Sequence, residues 1–359
     1  MRTNGFYTAL CSAALLAFCL PAKSEVMLES TSAGAMTSSA MTSGAMTSAG
    51  CADCGQGYGC GHGGQFLYVQ ADALYWDRVG TGCDTVVVLD GNQPAGANDV
   101  LSTDEFDFDY EPGVRVLVGY APDPCACPHC SAWEVSYFGI YDWSDSIAAT
   151  GAGNLSLPGD LGLVANNFSG ADEIRLDYDS QLHSVEFNCV HACCQCWGSI
   201  DFLAGFRYIN VDEDLSIIGT DVQEGTSSYD VDTSNDLYGF QMGGRVRRRW
   251  HDCWTLELLG KAGVFYNDAE QSQIITDSPI VGGPFVLRSP RTNSDDAVAG
   301  LGEMRVTLIR ALNDVWSFRI GYDVLTIGGL ALAPDQLDFT NTLASGTDVD
   351  AESWIFVHD

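Results

Sequence analysis

The sequence predicts an all-β protein whose antiparallel strands close into an up-and-down transmembrane β-barrel of about ten strands (roughly 8–12). The first observation is an alternation over Trp133–Trp143, where aromatic and aliphatic side chains share one face and Glu134, Ser136 and Asp142 lie on the other. The second is length, because these runs extend over roughly ten residues where a soluble strand has about five or six. The third is an alternation of long and short connections, which is typical of barrels that cross an outer membrane.

The first 64 residues are predicted to lie outside the barrel. Residues 1–24 have the features of a signal peptide, with Arg2, an apolar stretch from Phe6 to Leu20 and a small-x-small site at Ala22-Lys23-Ser24. Residues 25–64 are predicted to be a low-complexity tether, because Ala-Met-Thr-Ser repeats and a Gly- and Cys-rich stretch bury too little surface to fold. The barrel domain is therefore predicted over 65–359, and the leader indicates the cell outer membrane.

The strands follow in order along this domain, each with alternating polarity. They are predicted at Phe66–Trp76, Gly113–Tyr120, Ser131–Trp143, Tyr178–Cys189, Gly198–Asn210, Leu237–Val246, Trp254–Tyr266, Ala297–Leu308, Val315–Val324 and Trp354–His358. Long connections are predicted at 77–112, 144–177, 211–236 and 267–296, and short ones at 121–130, 190–197, 247–253 and 309–314. Since neighbouring strands alternate in direction, the long connections share one rim and the short, Cys-rich ones share the other.

The composition limits the possible partners. The chain has 16 Lys and Arg against 48 Asp and Glu, a net charge of -32. Loss of Arg2 and Lys23 with the leader leaves 14 basic residues and a net charge of -34. Such a surface repels nucleic acid. The apolar strand faces instead predict outer-membrane lipid as the partner, and no run of about 18 apolar residues follows the leader to form a spanning helix.

Twelve cysteines remain after the leader, and an oxidising compartment favours their pairing. Most lie in short connections on one rim, where we expect them either to clamp turns or to cross-link the barrel to cell-wall or neighbouring proteins. The disulfide candidates are Cys51, Cys54, Cys60, Cys83, Cys125, Cys127, Cys130, Cys189, Cys193, Cys194, Cys196 and Cys253. Their irregular spacing relative to His62, His129 and His191 does not fit a zinc site, so no metal or cofactor is predicted.

The polar faces of the strands carry nearly balanced charge. A narrow interior must pair its charges because burying an unpaired ion is costly, and about ten strands leave little more room than side chains fill. The sequence therefore predicts a largely plugged lumen. An open pore is the alternative if further strands lie at Thr85–Leu89 or Gly283–Leu287. The predicted lumen-lining residues are Asp72, Arg115, Glu134, Glu186, Asp201, Arg207, Arg245, Glu257, Lys261, Glu303, Arg305, Arg319 and Asp323.

Several motifs resemble the beta-barrel porin-7 family of planctomycete bacteria. They are residues 178–188 (YDSQLHSVEFN), 203–208 (LAGFRY), 212–215 (DEDL), 260–263 (GKAG) and Gly321-Tyr322 leading to 331–337 (ALAPDQL). The last motif is the most specific, and the resemblance extends over about 65–337. It implies an outer-membrane barrel with passive permeation of small solutes as the activity. The heavy Cys content of the turns and a last strand without a terminal aromatic residue depart from the family pattern.

No catalytic constellation is predicted, so we expect no enzyme activity. His183 and Ser184 invite comparison with a catalytic triad, but neighbouring residues of a strand point to opposite faces. No nucleophile elbow, zinc-protease motif or phosphate-binding loop is present. Two interpretations remain: an outer-membrane barrel that is porin-like or structural, and a soluble secreted Cys-rich cell-wall protein whose strands form a disulfide-linked sandwich.

Overall fold

The structure is a computed structural model that describes residues 66–80, 82, 84–91, 99–121, 132–159, 161, 166–195, 198–250, 253–280, 282–313, 316–340 and 345–359. The predicted leader and tether lie outside these residues, as do Cys51, Cys54, Cys60, Cys83, Cys125, Cys127, Cys130, Cys196 and the side chains of Cys193 and Cys194. Cys189 and Cys253 are described as free thiols. Across the described ranges, no helix combines the length and apolar character needed to span a bilayer.

One antiparallel sheet contains all the described strands. They are β1 (Phe66–Val79), β2 (Val86–Asp90), β3 (Asp99–Ser102), β4 (Glu111–Ala121), β5 (Ala132–Ser156), β6 (Ser169–Gln195), β7 (Gly198–Asp221), β8 (Gly225–Trp250), β9 (Trp254–Pro279), β10 (Phe285–Ala311), β11 (Ser317–Leu330) and β12 (Ser353–His358). The sheet order is β3-β2-β5-β4-β1-β12-β11-β10-β9-β8-β7-β6, and β5 also pairs with β6. This last pairing closes β1 and β4–β12 into a ring, so the predicted β-barrel is confirmed and the sandwich is wrong.

Three of the predicted long loops are mostly strand. β6, β7, β8, β9 and β10 have 27, 24, 26, 26 and 27 residues, and they cover most of 144–177, 211–236 and 267–296. β7 and β8 are joined across residues 222–224 only, since Asp221 pairs with Gly225. The prediction is wrong there because the two faces of each strand exchange polarity part-way along. The alternation that indicates a membrane strand ends at that point, although the strand continues.

This exchange divides the barrel into two halves, which we name the turn-side half and the loop-side half. In the turn-side half the outward face is apolar, as at Met242, Val264 and Val298, which are 71%, 67% and 78% exposed. In the loop-side half the same outward face carries residues such as Asp230 and Ser272, and apolar side chains are turned inward and buried. The outer surface thus changes from lipid-compatible to water-compatible without a shift in register.

Aromatic residues mark the boundary between the two halves. Tyr208 and Tyr238 have ring centroids 5.0 Å apart on neighbouring strands, and Tyr75 stacks on Tyr110 at 5.4 Å. Tyr266 lies beside Tyr238 in the register of β8 and β9. Tyrosine favours the depth where hydrocarbon meets the lipid head groups. This belt therefore gives the expected edge of the membrane-facing surface, on the side towards the loop-side half.

The ring is joined least extensively at its shortest strand, β12. Its six residues pair with β11 from Leu330 to Val324, but with β1 only at Asp77, Arg78 and Val79. By comparison, β1 pairs with β4 over residues 66–76. The junction of β1 and β12 therefore has the fewest cross-strand pairs in the ring.

Candidate functional site

The lumen of the turn-side half is filled by buried charged side chains, which we name the charge layer. Arg245 donates two hydrogen bonds to Glu134, from Nη1 to Oε1 at 2.9 Å and from Nη2 to Oε2 at 2.7 Å. Arg247 Nε lies 2.8 Å from Glu257 Oε2, and Arg319 Nη2 lies 3.3 Å from Glu257 Oε1. The forked contact of Arg245 with Glu134 fixes both side chains in one geometry.

A second group continues this layer across the lumen. Lys261 Nζ lies 2.8 Å from Glu186 Oε2 and 3.3 Å from Glu303 Oε1. Arg207 Nη1 lies 2.7 Å from Glu303 Oε2, and its Nε donates to Ser184 Oγ at 2.8 Å. These residues come from β6, β7, β9 and β10. The pairs of Lys261 with Glu186 and of Arg207 with Glu303 connect strands that are not neighbours in the sheet.

The third group joins β4, β10 and β11. Arg305 Nε and Arg115 Nη1 each lie 2.6 Å from a different oxygen of Asp323. The guanidinium of Arg115 also lies over the rings of Trp76 and Phe138, at 5.4 and 5.6 Å. The positive charge of the guanidinium is attracted to both aromatic rings, and this cation–π interaction stabilises Arg115 in its buried position.

The structure places every predicted lumen-lining residue except Asp72 within these ion-pair groups. Asp201 completes them, with Oδ2 3.6 Å from Arg247 Nη1. Asp72 is half-buried and accepts a hydrogen bond from Gln70 Nε2 at 2.6 Å. The cavity beside Glu134, Arg245 and Glu257 measures about 20 Å³, room for about one water molecule.

The loop-side half is filled by an apolar core. Inward residues of the strands, including Tyr178, Ile217 and Tyr229, are fully buried there. They pack against connections that fold into the barrel and supply Leu101, Phe106, Phe108, Leu157, Leu161, Phe168, Leu332 and Ala333. The described part of residues 331–350, which we name the plug segment, passes through this core and contains the ALAPDQL motif.

Amide side chains hold the backbone of the plug segment. Asn235 donates to Ala331 O and accepts from Ala331 N, both at 2.8 Å. Gln273 Nε2 donates to Gln336 O at 2.6 Å, and Asn267 Nδ2 donates at 2.8 Å to Gly329 O at the end of β11, just before the segment. The three amides lie on the inner faces of β8 and β9 and are buried. They therefore satisfy backbone groups that the irregular segment cannot pair by itself.

A buried ion pair fixes the start of the plug segment. Glu213 Oε1 lies 2.5 Å from Arg78 Nη2, and Glu213 Oε2 accepts from Tyr178 Oη and Ala333 N, both at 2.8 Å. Arg288 donates to Asp338 O at 3.0 Å further along the segment. Sequence reasoning missed these charged residues because all of them fall in predicted loops. The alternation Leu74, Trp76, Arg78 was the available signal.

The structure keeps apart the histidine and the serine that invite comparison with a catalytic triad. His183 points outward, with Nδ1 3.1 Å from Tyr137 Oη, whereas Ser184 points inward to Arg207. No group of three or more His, Cys, Asp or Glu side chains that could hold a metal ion is found among the residues that the structure describes.

Comparison with known proteins agrees with this architecture. The family model described as Putative beta barrel porin-7 matches residues 68–349, which is most of the chain and every strand of the ring except β12 and the first two residues of β1. No curated protein and no solved structure gives a significant match. The chain therefore belongs to the Putative beta barrel porin-7 family.

Proposed function

We propose that this protein is an outer-membrane barrel with a closed lumen, and that its role is structural rather than the transport of solutes. The charge layer is the observation that carries this proposal, because its ions are paired with one another and their side chains are buried. A water-filled pore leaves its lining charges hydrated and has no requirement for such pairing. The apolar core and plug segment then fill the other half of the lumen.

Passage of an ion would require two separate changes. In the loop-side half the plug segment would have to leave Asn235, Gln273 and Glu213, which exposes buried polar groups. In the turn-side half the pairs between Arg245 and Glu134, and between Arg207 and Glu303, would have to separate. Each such step costs several kcal/mol if the separated ions remain out of water.

A second candidate is passive permeation of small solutes or cations, as the family's name suggests. It is favoured by one observation: Asn235 and Gln273 hold the plug segment by hydrogen bonds to its backbone. Displacement of the segment would then open the loop-side half, and the charge layer would have to rearrange in turn.

Single-channel recording in planar bilayers tests the two candidates. We expect the refolded full chain to insert without conductance steps, with heat-modifiable migration in detergent gels as the sign of folding. The double variant Asn235→Ala/Gln273→Ala weakens the hold on the plug segment, and Gln223→Ala, an exposed amide between β7 and β8, is the matched control. Steady steps from the unaltered protein contradict the closed lumen, and steps from the double variant alone support permeation by plug displacement.

We further propose that the turn-side rim attaches to cell-wall or neighbouring proteins through disulfides. Exposed Cys253 lies on this rim as a free thiol, and the sequence places other cysteines in the neighbouring short connections. Electrophoresis of isolated outer membranes with and without reductant tests this. A ladder of larger species that collapses on reduction is expected, whereas one unchanged band contradicts the attachment.

A further inference from the structure

The barrel wall contains a cleft between β1 and β11. β12 runs between these strands on the loop side, but its register with β1 stops at Asp77 and its register with β11 stops at Val324. Closer to the turn side, the described registers join β1 to β4 and β11 to β10, and no register pair joins β1 to β11. A cavity of about 260 Å³ lies at this place.

The lining of the cleft differs between its outer and inner parts. Outward residues of the two strands, Tyr75 and Ile320, are 62% and 47% exposed. The inner part is lined by charges of the lumen. The charged lining residues are Asp72, Arg115, Arg305, Arg319, Asp323 and Asp359, three acidic and three basic. The cleft therefore connects the apolar outer surface with a polar interior whose side-chain charges balance.

The cleft lies at the edge of the apolar surface. Tyr75 and Tyr110 both line it and stack on each other. The ring of Tyr322, which follows two lining residues on β11, lies 6.2 Å from that of His358 at the end of β12. Tyrosines of this kind lie at the depth of lipid head groups. A polar cavity at that depth is open to a head group, and the acyl chains below it would meet Ile320 and Phe318 on the outer face of β11.

A break in the wall of a membrane barrel must be covered, because hydrocarbon cannot satisfy the polar groups of a strand edge. We propose that the cleft binds one phospholipid with a zwitterionic head group. The phosphate would lie towards Arg115 and Arg319, and the ammonium group towards Asp72 and Asp359. A purely anionic head group would meet three carboxylates, and a lipid without a charged head group would leave the lining uncovered. This inference rests on the proposed location in the outer membrane.

Native mass spectrometry of the full-length folded protein in detergent tests the proposal. The probes are phosphatidylethanolamine, phosphatidylglycerol and diacylglycerol with identical acyl chains. We expect one bound phosphatidylethanolamine, held at least about tenfold more tightly than the other two, as charge-assisted hydrogen bonds would provide. Ala73→Trp fills the mouth of the cleft without changing its charges and should lower this affinity by about tenfold. Val264→Trp, on the outer face of β9, is the matched control and should leave the affinity unchanged.

Equal retention of the three lipids, or equal retention by Ala73→Trp and Val264→Trp, overturns the proposal. Ile320→Trp fills the cleft from its other side and replaces Ala73→Trp if that variant does not fold. Hydrogen exchange gives an independent reading. Protection of β1 amides near Leu74 that is the same with and without phosphatidylethanolamine would show that the lipid does not cover this strand and would also overturn it. A folded, non-conducting barrel without lipid retention refutes this inference alone, whereas failure to insert into bilayers refutes the proposed function.

Discussion

Replacement of Glu303 by glutamine is the most direct test of a dry, charge-paired lumen. The Glu303 carboxylate lies 2.7 Å from Arg207, 3.3 Å from Lys261 and 3.2 Å from Arg305, and the side chain is only 4% exposed. Glu303→Gln keeps the shape of the residue and removes its negative charge. Three buried cations then lose a shared counter-charge.

The expected cost follows from what these cations keep. Arg207 and Lys261 retain Glu186, at 3.4 and 2.8 Å, and Arg305 retains Asp323 at 2.6 Å. Removing one partner of a buried pair costs about 3–5 kcal/mol. Because each cation retains one carboxylate, we expect about 3 kcal/mol, at the lower end. The same substitution in a water-filled lumen would cost about 1 kcal/mol or less, since water would hydrate the cations.

Urea unfolding in lipid vesicles, followed by tryptophan fluorescence, measures this difference. Glu224→Gln is the matched control, because Glu224 is exposed between β7 and β8. The double variant Glu303→Gln/Lys261→Met restores the charge balance and should be less destabilised than the sum of its single changes by about 1 kcal/mol or more. A loss below about 1 kcal/mol for Glu303→Gln, together with an additive double variant, would refute the paired lumen.

Three further changes test other parts of the structure. Leu258→Arg, on the outer face of β9 and well below Tyr266, should destabilise the barrel in bilayers by about 2–4 kcal/mol, and Ser272→Arg, on the same strand face in the loop-side half, by less than about 1, as measured by urea unfolding. Asn235→Ala leaves the amide and carbonyl of the plug segment unpaired and should cost about 1–3 kcal/mol in the same assay. A hydrogen bond with Asp214, together with burial and repulsion by the carboxylates of Asp214 and Asp230, raises the pKa of Asp232 to about 7. An aspartate in the unfolded chain has a pKa of about 4, so between about pH 4 and 7 the folded state holds a proton that the unfolded state has lost. The contribution of Asp232 to the free energy of unfolding therefore falls as the pH rises through this range. Asp232→Asn should therefore stabilise the barrel by about 1 kcal/mol at pH 8, after allowance for exposure, and have little effect at pH 4; equal effects at both pH values would contradict this.

The ring itself could be predicted from local sequence because each turn-side strand follows one simple rule. Apolar residues such as Phe240 and Val264 alternate with inward groups such as Gln241 and Lys261, and this period of two specifies both strand and face. The pairs of β5 with β6 required no further information, since these strands follow one another in the chain, whereas the pairs of β12 with β1 join the last strand of the ring to the first. Strand number and direction follow from the same pattern.

The loop-side half could not be predicted by that rule. Its strands also alternate, but with Val231 and Tyr229 inward and Asp230 and Asp232 outward, which is the pattern of a water-soluble sheet. Between the two patterns lies a short stretch, near Leu237 in β8, where both faces are apolar or aromatic. If each strand is expected to keep one apolar and one polar face, the predicted strand ends at this stretch and its loop-side part is predicted to be a loop. Charged residues on those segments, including Arg78 and Glu213, were therefore not predicted to face the lumen.

The contents of the loop-side lumen required long-range information. Leu332 and Gln336 belong to a segment without helical or strand periodicity, and only the family resemblance distinguishes its motif in the sequence. Its position depends on Asn235 and Gln273, roughly 60 to 100 residues away in sequence. Such hydrogen bonds leave no local pattern, because a buried asparagine and an exposed one read alike in sequence.

The two polarity patterns within single strands explain why the barrel needs two different fillings. In the turn-side half, an apolar exterior leaves the inward positions to polar residues, and these can be buried only if their charges are paired, as in Arg207 with Glu303. In the loop-side half, a polar exterior leaves the inward positions to apolar residues, and these must be covered by further apolar groups, which the infolded connections supply. A wide pore would need a polar interior along its whole length. The apolar inner face around Tyr229 and Ile217 therefore argues against a permanent pore independently of the charge layer.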